Sequence, residues 1–126
     1  MKISAEQFDR IKNSVIKEVV ESLPAHLKSK TDNLIFETRE RPGQEDITEP
    51  DDYKSLMGLY QGVPHNERGV FDNYTGPDVI TLFRFNITAG CRNESELRKE
   101  LILTVIHELG HMFGLDEEDL EKMGFN

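Results

Sequence analysis

Apolar residues in the first part of the chain recur at the spacing of an amphipathic helix. They are three or four residues apart, which places them on one side of an α-helix. The positions are Phe8, Ile11, Val15, Val19 and Leu23. Ser4 and Gln7 match a capping box at the start of the segment, and Pro24 ends it. The pattern therefore predicts a first helix between Ser4 and Pro24.

Three later segments have the pattern of β-strands. Residues 33–38 and 57–63 predict two short strands. Residues 79–85 are apolar at nearly every position, which is typical of a strand buried on both faces. The segments between them, 39–53 and 68–77, are rich in polar residues and in Gly, Pro, Asn or Asp, so we expect surface loops, or a hairpin in the second case.

The last third of the chain is predicted to be helical. Asn93 can cap a long helix, with Glu96 as its reciprocal capping partner, and Gly114 stands where the helix should stop. A short helix follows, with Asp116 as its cap. Together the elements predict one α+β domain, residues 1–126, with an N-terminal helix, a small mixed sheet, a long helix and a short C-terminal helix.

The long helix contains the pattern H-E-x-x-H at His107, Glu108 and His111. Residues four apart lie about 40° apart around a helix, so two imidazoles can bind one zinc ion from the same side. Glu108 lies about 100° from His107, which we expect to be too far round for the same metal shell. That position suits a general base that takes a proton from a water at the metal.

The apolar residues of this helix favour metal binding over a core role for the histidines. They are centred almost opposite the pair of histidines on the helical wheel. The residues are Leu97, Leu101, Ile102, Val105, Ile106, Leu109, Met112 and Phe113. The helix should therefore pack against the core by one side and present His107 and His111 on the other.

A catalytic zinc normally has three protein ligands and a water. Gly114 can take a left-handed conformation that ends the helix and turns the chain back towards the metal. A carboxylate directly after this turn is a natural third ligand.

The run 107–117 resembles the longer zincin signature H-E-x-x-H-x-x-G-x-x-[H/D]. Residues 58–118 resemble a family of very small bacterial minimal zincins, which are predicted zinc metallopeptidases. The similar segments are 58–64, 77–84 and the helix that continues to residue 115. The resemblance implies a compact α+β zincin core, a zinc ion and hydrolysis of peptide bonds.

The signature has Asp or His at its eleventh position, where this chain has Glu117. Glu117 is accordingly the predicted third ligand and Asp116 the alternative, while Glu118, Asp119 or no carboxylate stays open. Acidic residues here also fit a second role, because they favour the N-terminus of the last helix.

Four residues are weaker candidates for a hydrogen-bond donor to the developing oxyanion. They are Tyr60, His65, Tyr74 and Arg84. Tyr60 and Arg84 lie in segments that the resemblance covers, so they are the preferred candidates for transition-state or substrate contacts. Cys91 lies just before the long helix, but no base is evident that would make it a nucleophile.

The charge balance excludes two classes of partner. The chain has 24 acidic and 15 basic residues, a net charge of −9, which opposes non-specific binding to nucleic acid or to an anionic membrane. No apolar run approaches the ~18 residues of a membrane span, and the first residues do not resemble a secretory signal. With a single cysteine, these features predict a cytoplasmic protein. The sequence carries no signal of an oligomeric state.

The leading hypothesis is a zinc-dependent metallopeptidase whose partner is a peptide or protein substrate. His107 and His111 would bind zinc, Glu117 would complete the site, and Glu108 would act as the general base. Two alternatives remain open. One is a zincin-like module that binds a protein without cleaving it, and the other is a purely structural metal site.

Overall fold

The computed structural model describes residues 1–47, 52–67 and 76–122, without the side chains of Asp52, Tyr53, Glu67 and Glu117. The helices are α1 Ala5–Ser22, α2 Ala25–Lys28, α3 Asp52–Ser55, α4 Arg84–Ala89, α5 Glu94–Phe113 and α6 Glu117–Lys122, and the strands are β1 Leu34–Arg39, β2 Gly58–Gln61 and β3 Asp78–Phe83. Short 3₁₀ helices cover Ser29–Thr31, Gln44–Asp46 and His65–Glu67. The predicted α+β fold is confirmed.

The three strands form one mixed sheet in the order β1-β3-β2. β1 is parallel to β3, and β2 is antiparallel to it. The central strand β3 is buried through Ile80, Leu82 and Phe83, as its continuous apolar sequence predicts. β2 is an edge strand, and it packs against α5.

The first helix forms as its sequence predicts. The Ser4 hydroxyl accepts a hydrogen bond from the Gln7 backbone N–H at 3.1 Å, and the side-chain Oε1 of Gln7 accepts one from the Ser4 backbone N–H at 3.2 Å. Phe8, Val15 and Val19 are buried where α1 packs against α5. This capping box and apolar stripe fix α1 across the N-terminal part of α5.

The predicted third strand is wrong in its last two residues. β3 ends at Phe83, which pairs with Arg39, the last residue of β1. Beyond this point the ladder has no partner, and the chain turns into α4, which the apolar pattern did not predict. Asn86 stabilises the turn because its amide donates to the Leu56 carbonyl at 2.8 Å.

One of the two predicted loops, 39–53, contains short helical segments in its described part. Within 39–53 the chain forms the 3₁₀ helix Gln44–Asp46 and the start of α3, while residues 48–51 lie outside the described residues. Asp46 accepts a hydrogen bond from the Gly43 N–H at 2.7 Å, which is a local bond typical of turns. Most of the predicted loop or hairpin at 68–77 lies outside the described residues.

The long helix α5 begins at the predicted cap, Asn93, but the side chain of Glu96 binds a residue other than Asn93. The Asn93 side chain accepts from the Glu96 N–H at 2.9 Å, as expected. Glu96 does not complete the reciprocal box; its carboxylate accepts from the Arg92 N–H at 2.7 Å and from the Arg92 guanidinium at 3.0 Å. These bonds lower the pKa of Glu96, because they favour its charged form.

The core lies between α1, the sheet and one side of α5. The buried residues of α5 include Leu97, Leu101, Val105, Leu109 and Met112. His107 and His111 are exposed on the other side, as the helical wheel predicts. In the described part of the chain, no helix is long and apolar enough to cross a membrane.

Candidate metal centre

One turn of α5 brings three possible metal ligands together. One ligand atom each of His107, Glu108 and His111 lies within 4.8 Å of the others. The two imidazole rings are edge to face, with centroids 4.5 Å apart. The cluster exists because the histidines are four residues apart on a helix whose apolar side anchors it in the core.

Glu108 lies closer to the histidines than its angle around the helix implies. Its Oε1 is 3.2 Å from Nδ1 of His111, and the residue is 5% exposed. The side chain bends along the helix axis, and three residues is also a contact distance along a helix. This contact joins two protein side chains, so the expectation that Glu108 stays outside the metal shell and acts as a general base remains a prediction.

Gly58 at the start of β2 leaves the space that Glu108 occupies. A Cβ on Gly58 would lie 2.9 Å from the Thr104 methyl carbon and 3.0 Å from Cγ of Glu108. Both neighbours belong to α5, so the strand approaches this helix as closely as its backbone allows. Sequence reasoning assigned no role to Gly58, and its only signal is a glycine at the first position of a short strand.

The end of α5 is a Schellman turn. Gly114 has φ 76°, its N–H donates to the His111 carbonyl at 3.1 Å, and the Leu115 N–H donates to the Gly110 carbonyl at 2.8 Å. A Cβ on Gly114 would also overlap the Asn66 side chain. The predicted left-handed stop is confirmed, and it directs the chain into α6.

Asp116 caps the last helix; the sequence predicts this residue both as the cap and as the alternative third ligand. The Asp116 carboxylate accepts from the Asp119 N–H at 2.8 Å, and the Asp119 carboxylate accepts from the Asp116 N–H at 3.1 Å. The predicted cap is confirmed. α6 then rests on α5, where a Cβ on Gly110 would be 2.8 Å from a methyl carbon of Leu120.

The third ligand is not defined by these contacts. Glu117 is the first residue of α6, but its side chain lies outside the described residues. Among the side chains that the structure describes, Asp116, Glu118 and Asp119 do not join the cluster of His107, Glu108 and His111. The assignment of Glu117 as third ligand, with Asp116 as the alternative, stays a prediction.

The comparison with protein families agrees with this geometry. The family model described as "Zincin-like metallopeptidase" matches residues 31–125 of the 126-residue chain. The chain belongs to the zincin-like metallopeptidase family. The match includes all three strands, α5 and α6. A search of curated proteins finds no match.

The family implies zinc, and the donor set of this zincin suits that ion. Zinc binds imidazole nitrogens and carboxylate oxygens. The cluster offers two imidazoles on a single helix turn, with the Glu108 carboxylate beside them and one ligand atom of each residue within 4.8 Å of the others. The residues present therefore fit the metal that the family implies.

Tyr60 and His65 meet at a buried carboxylate. The Tyr60 hydroxyl donates to Oδ1 of Asp78 at 2.6 Å, and Nε2 of His65 is 3.4 Å from Oδ2 of the same residue. Asp78 is 2% exposed at the start of β3. These bonds tie the segment after β2 to the sheet. Sequence reasoning missed Asp78, since a lone Asp before a strand carries no signal of its partners.

Arg84 binds residues near the N-terminus and at the end of β1. Its guanidinium forms a bidentate ion pair with Glu40, with N–O distances of 2.8 to 3.0 Å, and donates to the Ile3 carbonyl at 3.2 Å. These bonds join α4 to the end of β1 and to the segment before α1. Arg84 thus has a clear packing role, while a contact with substrate stays a prediction. Tyr74 lies outside the described residues.

Cys91 is buried beside α4. Its thiol donates to the Ile87 carbonyl at 3.2 Å. Burial, followed by the negative charges of Glu100 and Glu96, raises the pKa of the thiol. A thiol of this kind is unreactive, which agrees with the absence of a predicted nucleophilic role.

Proposed function

We propose that this protein is a zinc-dependent metallopeptidase that hydrolyses peptide bonds with Glu108 as its general base. The observation that carries the proposal is the cluster of His107, Glu108 and His111 within 4.8 Å on α5. The family match adds support, because the same chain has the fold of zincin-like metallopeptidases.

The proposed zinc ligands are His107, His111 and Glu117, with Asp116 as the alternative to Glu117. When bound, zinc would polarise the scissile carbonyl and lower the pKa of a water. The Schellman turn at Gly114 favours a ligand from α6, because it reverses the chain one residue after α5. The cap formed by Asp116 favours Glu117, because capping already uses the Asp116 carboxylate.

Glu108 would move the proton. Its carboxylate is 5% exposed, so few waters compete for it, and it lies beside His111 at 3.2 Å. It would accept the proton of the attacking water and pass it to the leaving amine. The contact with Nδ1 of His111 also orients that ring, leaving Nε2 to face a ligand.

A peptide has room to reach this turn of α5. A groove of about 320 Å³ lies between the segment before β2 and the exposed side of α5, and His107 and Glu108 line one end of it. Pockets of roughly 300–1,000 Å³ are the usual size for bound ligands. Our proposal includes a peptide or protein substrate for this groove. From the net charge of −9 and the single cysteine, it also includes a cytoplasmic location without nucleic acid or membrane as a partner.

Zinc content and turnover together test the proposal. We expect one zinc per chain in wild type and in Glu108→Gln, and loss of zinc in His107→Ala, His111→Ala and Glu117→Gln. Zinc-loaded wild type should cleave members of a diverse peptide library, and Glu108→Gln should be about 10²- to 10⁴-fold slower. Full activity of Glu108→Gln would remove Glu108 as the base.

Other outcomes would favour the alternatives. Zinc-loaded protein that cleaves no peptide but binds some of them would indicate a binding module. A fourth protein ligand, together with a large loss of thermal stability on chelation, would indicate a structural site.

A further inference from the structure

The groove beside the candidate metal centre has a definite chemical character. It extends from His107 and Glu108 towards the N-terminus of α5. Its walls include the apolar side chains of Leu56, Met57 and Leu103, and Glu100 lies at the end away from the histidines. The groove therefore combines an apolar wall with polar groups, and it has a carboxylate at the end away from the histidines.

The groove and the candidate metal centre lie along the same side of α5. Leu103 and His107 are four residues apart, as are Glu100 and Thr104. Leu103 is 55% exposed, so its side chain is open to a ligand in the groove. A side chain that enters from the scissile bond would pass over Leu103 before it reaches Glu100.

The charges at the groove favour a cation. Among the described residues that line it are the carboxylates of Glu100 and Glu108, and no Lys or Arg. By contrast, the charged residues that line a second groove of about 530 Å³ between α1 and α5 are mostly basic: Lys2, Arg10 and Arg98, with one carboxylate, Glu94. The acidic character thus belongs to the groove at the histidines, although the net charge of −9 is spread over the whole chain.

We propose that this groove is a specificity pocket for a Lys or Arg side chain next to the scissile peptide bond. The proposal rests on the proposed function of the same site. The methylene groups of Lys or Arg would pack against Leu56, Met57 and Leu103, and the charged end would pair with the Glu100 carboxylate. A side chain with both features matches the groove better than an aliphatic or an acidic one.

Peptide binding tests the pocket without turnover. All measurements use the zinc-loaded Glu108→Gln chain and isothermal titration with blocked Ala-Gly peptides that carry one central Arg, Lys, norleucine or Glu. We expect the Arg and Lys peptides to bind about 10- to 100-fold more tightly than the norleucine peptide. Adding Glu100→Gln should remove this difference, and adding Glu100→Lys should favour the Glu peptide.

Two further variants separate the pocket from general effects. Glu94→Gln removes a carboxylate from the same helix outside this groove and should leave the preference unchanged. Leu103→Ser should weaken the Arg, Lys and norleucine peptides alike, because it removes the shared apolar wall. Equal binding of Arg and norleucine peptides, or a preference that survives Glu100→Gln, would overturn the pocket.

Wild-type turnover then distinguishes the two proposals. Cleavage of peptides without a basic preference would refute the pocket and leave the metallopeptidase standing. Binding that prefers Arg and depends on Glu100, without cleavage of any peptide, would support the pocket in a non-catalytic protein. Binding of no peptide at all would contradict both.

Discussion

A methyl carbon of Leu120 lies so close to Gly110 that a Cβ on the glycine would be 2.8 Å away from it. Gly110 is the residue before the second histidine of the cluster, and Leu120 is the buried residue of α6. This contact sets how closely α6 approaches α5, and with it the position of Glu117 relative to His111.

Gly110→Ala should therefore lower the affinity for zinc while changing the free energy of unfolding only slightly. The new Cβ meets only the end of the Leu120 side chain, so Leu120 and α6 will shift to make room. Alanine also stabilises the helical conformation of α5 by about 0.5–1 kcal/mol relative to glycine. We expect zinc affinity to fall about tenfold, in the range of changes to residues that support metal ligands. Competition with a chelating dye measures this effect, and amide exchange in α6 reports the shift.

Gly90→Ala is the matched control, because nothing lies within 4 Å of a Cβ at Gly90. Unchanged zinc affinity in Gly110→Ala would mean that α6 does not position a ligand.

Gly58→Ala should impair turnover while zinc stays bound. The added carbon meets Thr104 and Glu108, two buried side chains of α5, so either β2 or the Glu108 carboxylate must move. We expect a loss of about 1–3 kcal/mol in the free energy of unfolding, with kcat reduced more than zinc content. Denaturant unfolding, peptide cleavage and metal analysis measure the three quantities.

Thr104→Ser offers a test of the cause, since it deletes the methyl group that lies 2.9 Å from the new Cβ. Combined with Gly58→Ala it should restore part of the stability. No recovery would argue against this clash as the origin of the loss.

Substitutions of Asp116 separate capping from metal binding. Asp116→Ala removes the acceptor for the Asp119 N–H and should destabilise α6 by about 0.5–2 kcal/mol. Asp116→Asn keeps a capping oxygen, so both its stability and its zinc affinity should match wild type if Glu117 is the ligand. Loss of zinc from Asp116→Asn, with stability unchanged, would identify Asp116 as the ligand instead.

Cys91 should make the fold sensitive to alkaline pH. An unfolded cysteine ionises near pH 8.5, whereas burial raises the pKa of the folded thiol. The contribution to stability is complete below about pH 8.5 and is lost as pH rises through the folded pKa, by at most about 1.4 kcal/mol per pH unit. Urea unfolding of wild type and Cys91→Ala from pH 7 to 10 measures the difference, and parallel curves would contradict the prediction.

The elements that the sequence predicts are those with local causes. The period of α1, its Ser4–Gln7 cap and the stop at Gly114 depend on neighbours within a few residues, and all three are confirmed. The end of β3 depends instead on where β1 stops, at the pair of Arg39 with Phe83. The apolar pattern of one segment carries no information about the length of the strand that pairs with it.

Within the candidate site, too, features with local causes are predicted and features that depend on distant residues are not. The cluster of His107, Glu108 and His111 follows from five consecutive helical residues, so its proximity is readable from sequence. Gly58 and Asp78 act through residues 50 and 18 positions away, at Glu108 and Tyr60, and nothing local marks them.

One helix, α5, carries both buried core residues and the two candidate histidine ligands. An ion held by His107 and His111 would thus bind only when α5 is packed against α1 and the sheet. Such a ligand stabilises the native state by mass action, by about 2.7 kcal/mol at a free concentration 100 times its dissociation constant. Zinc binding at this helix would thus add directly to the free energy of unfolding of the whole domain.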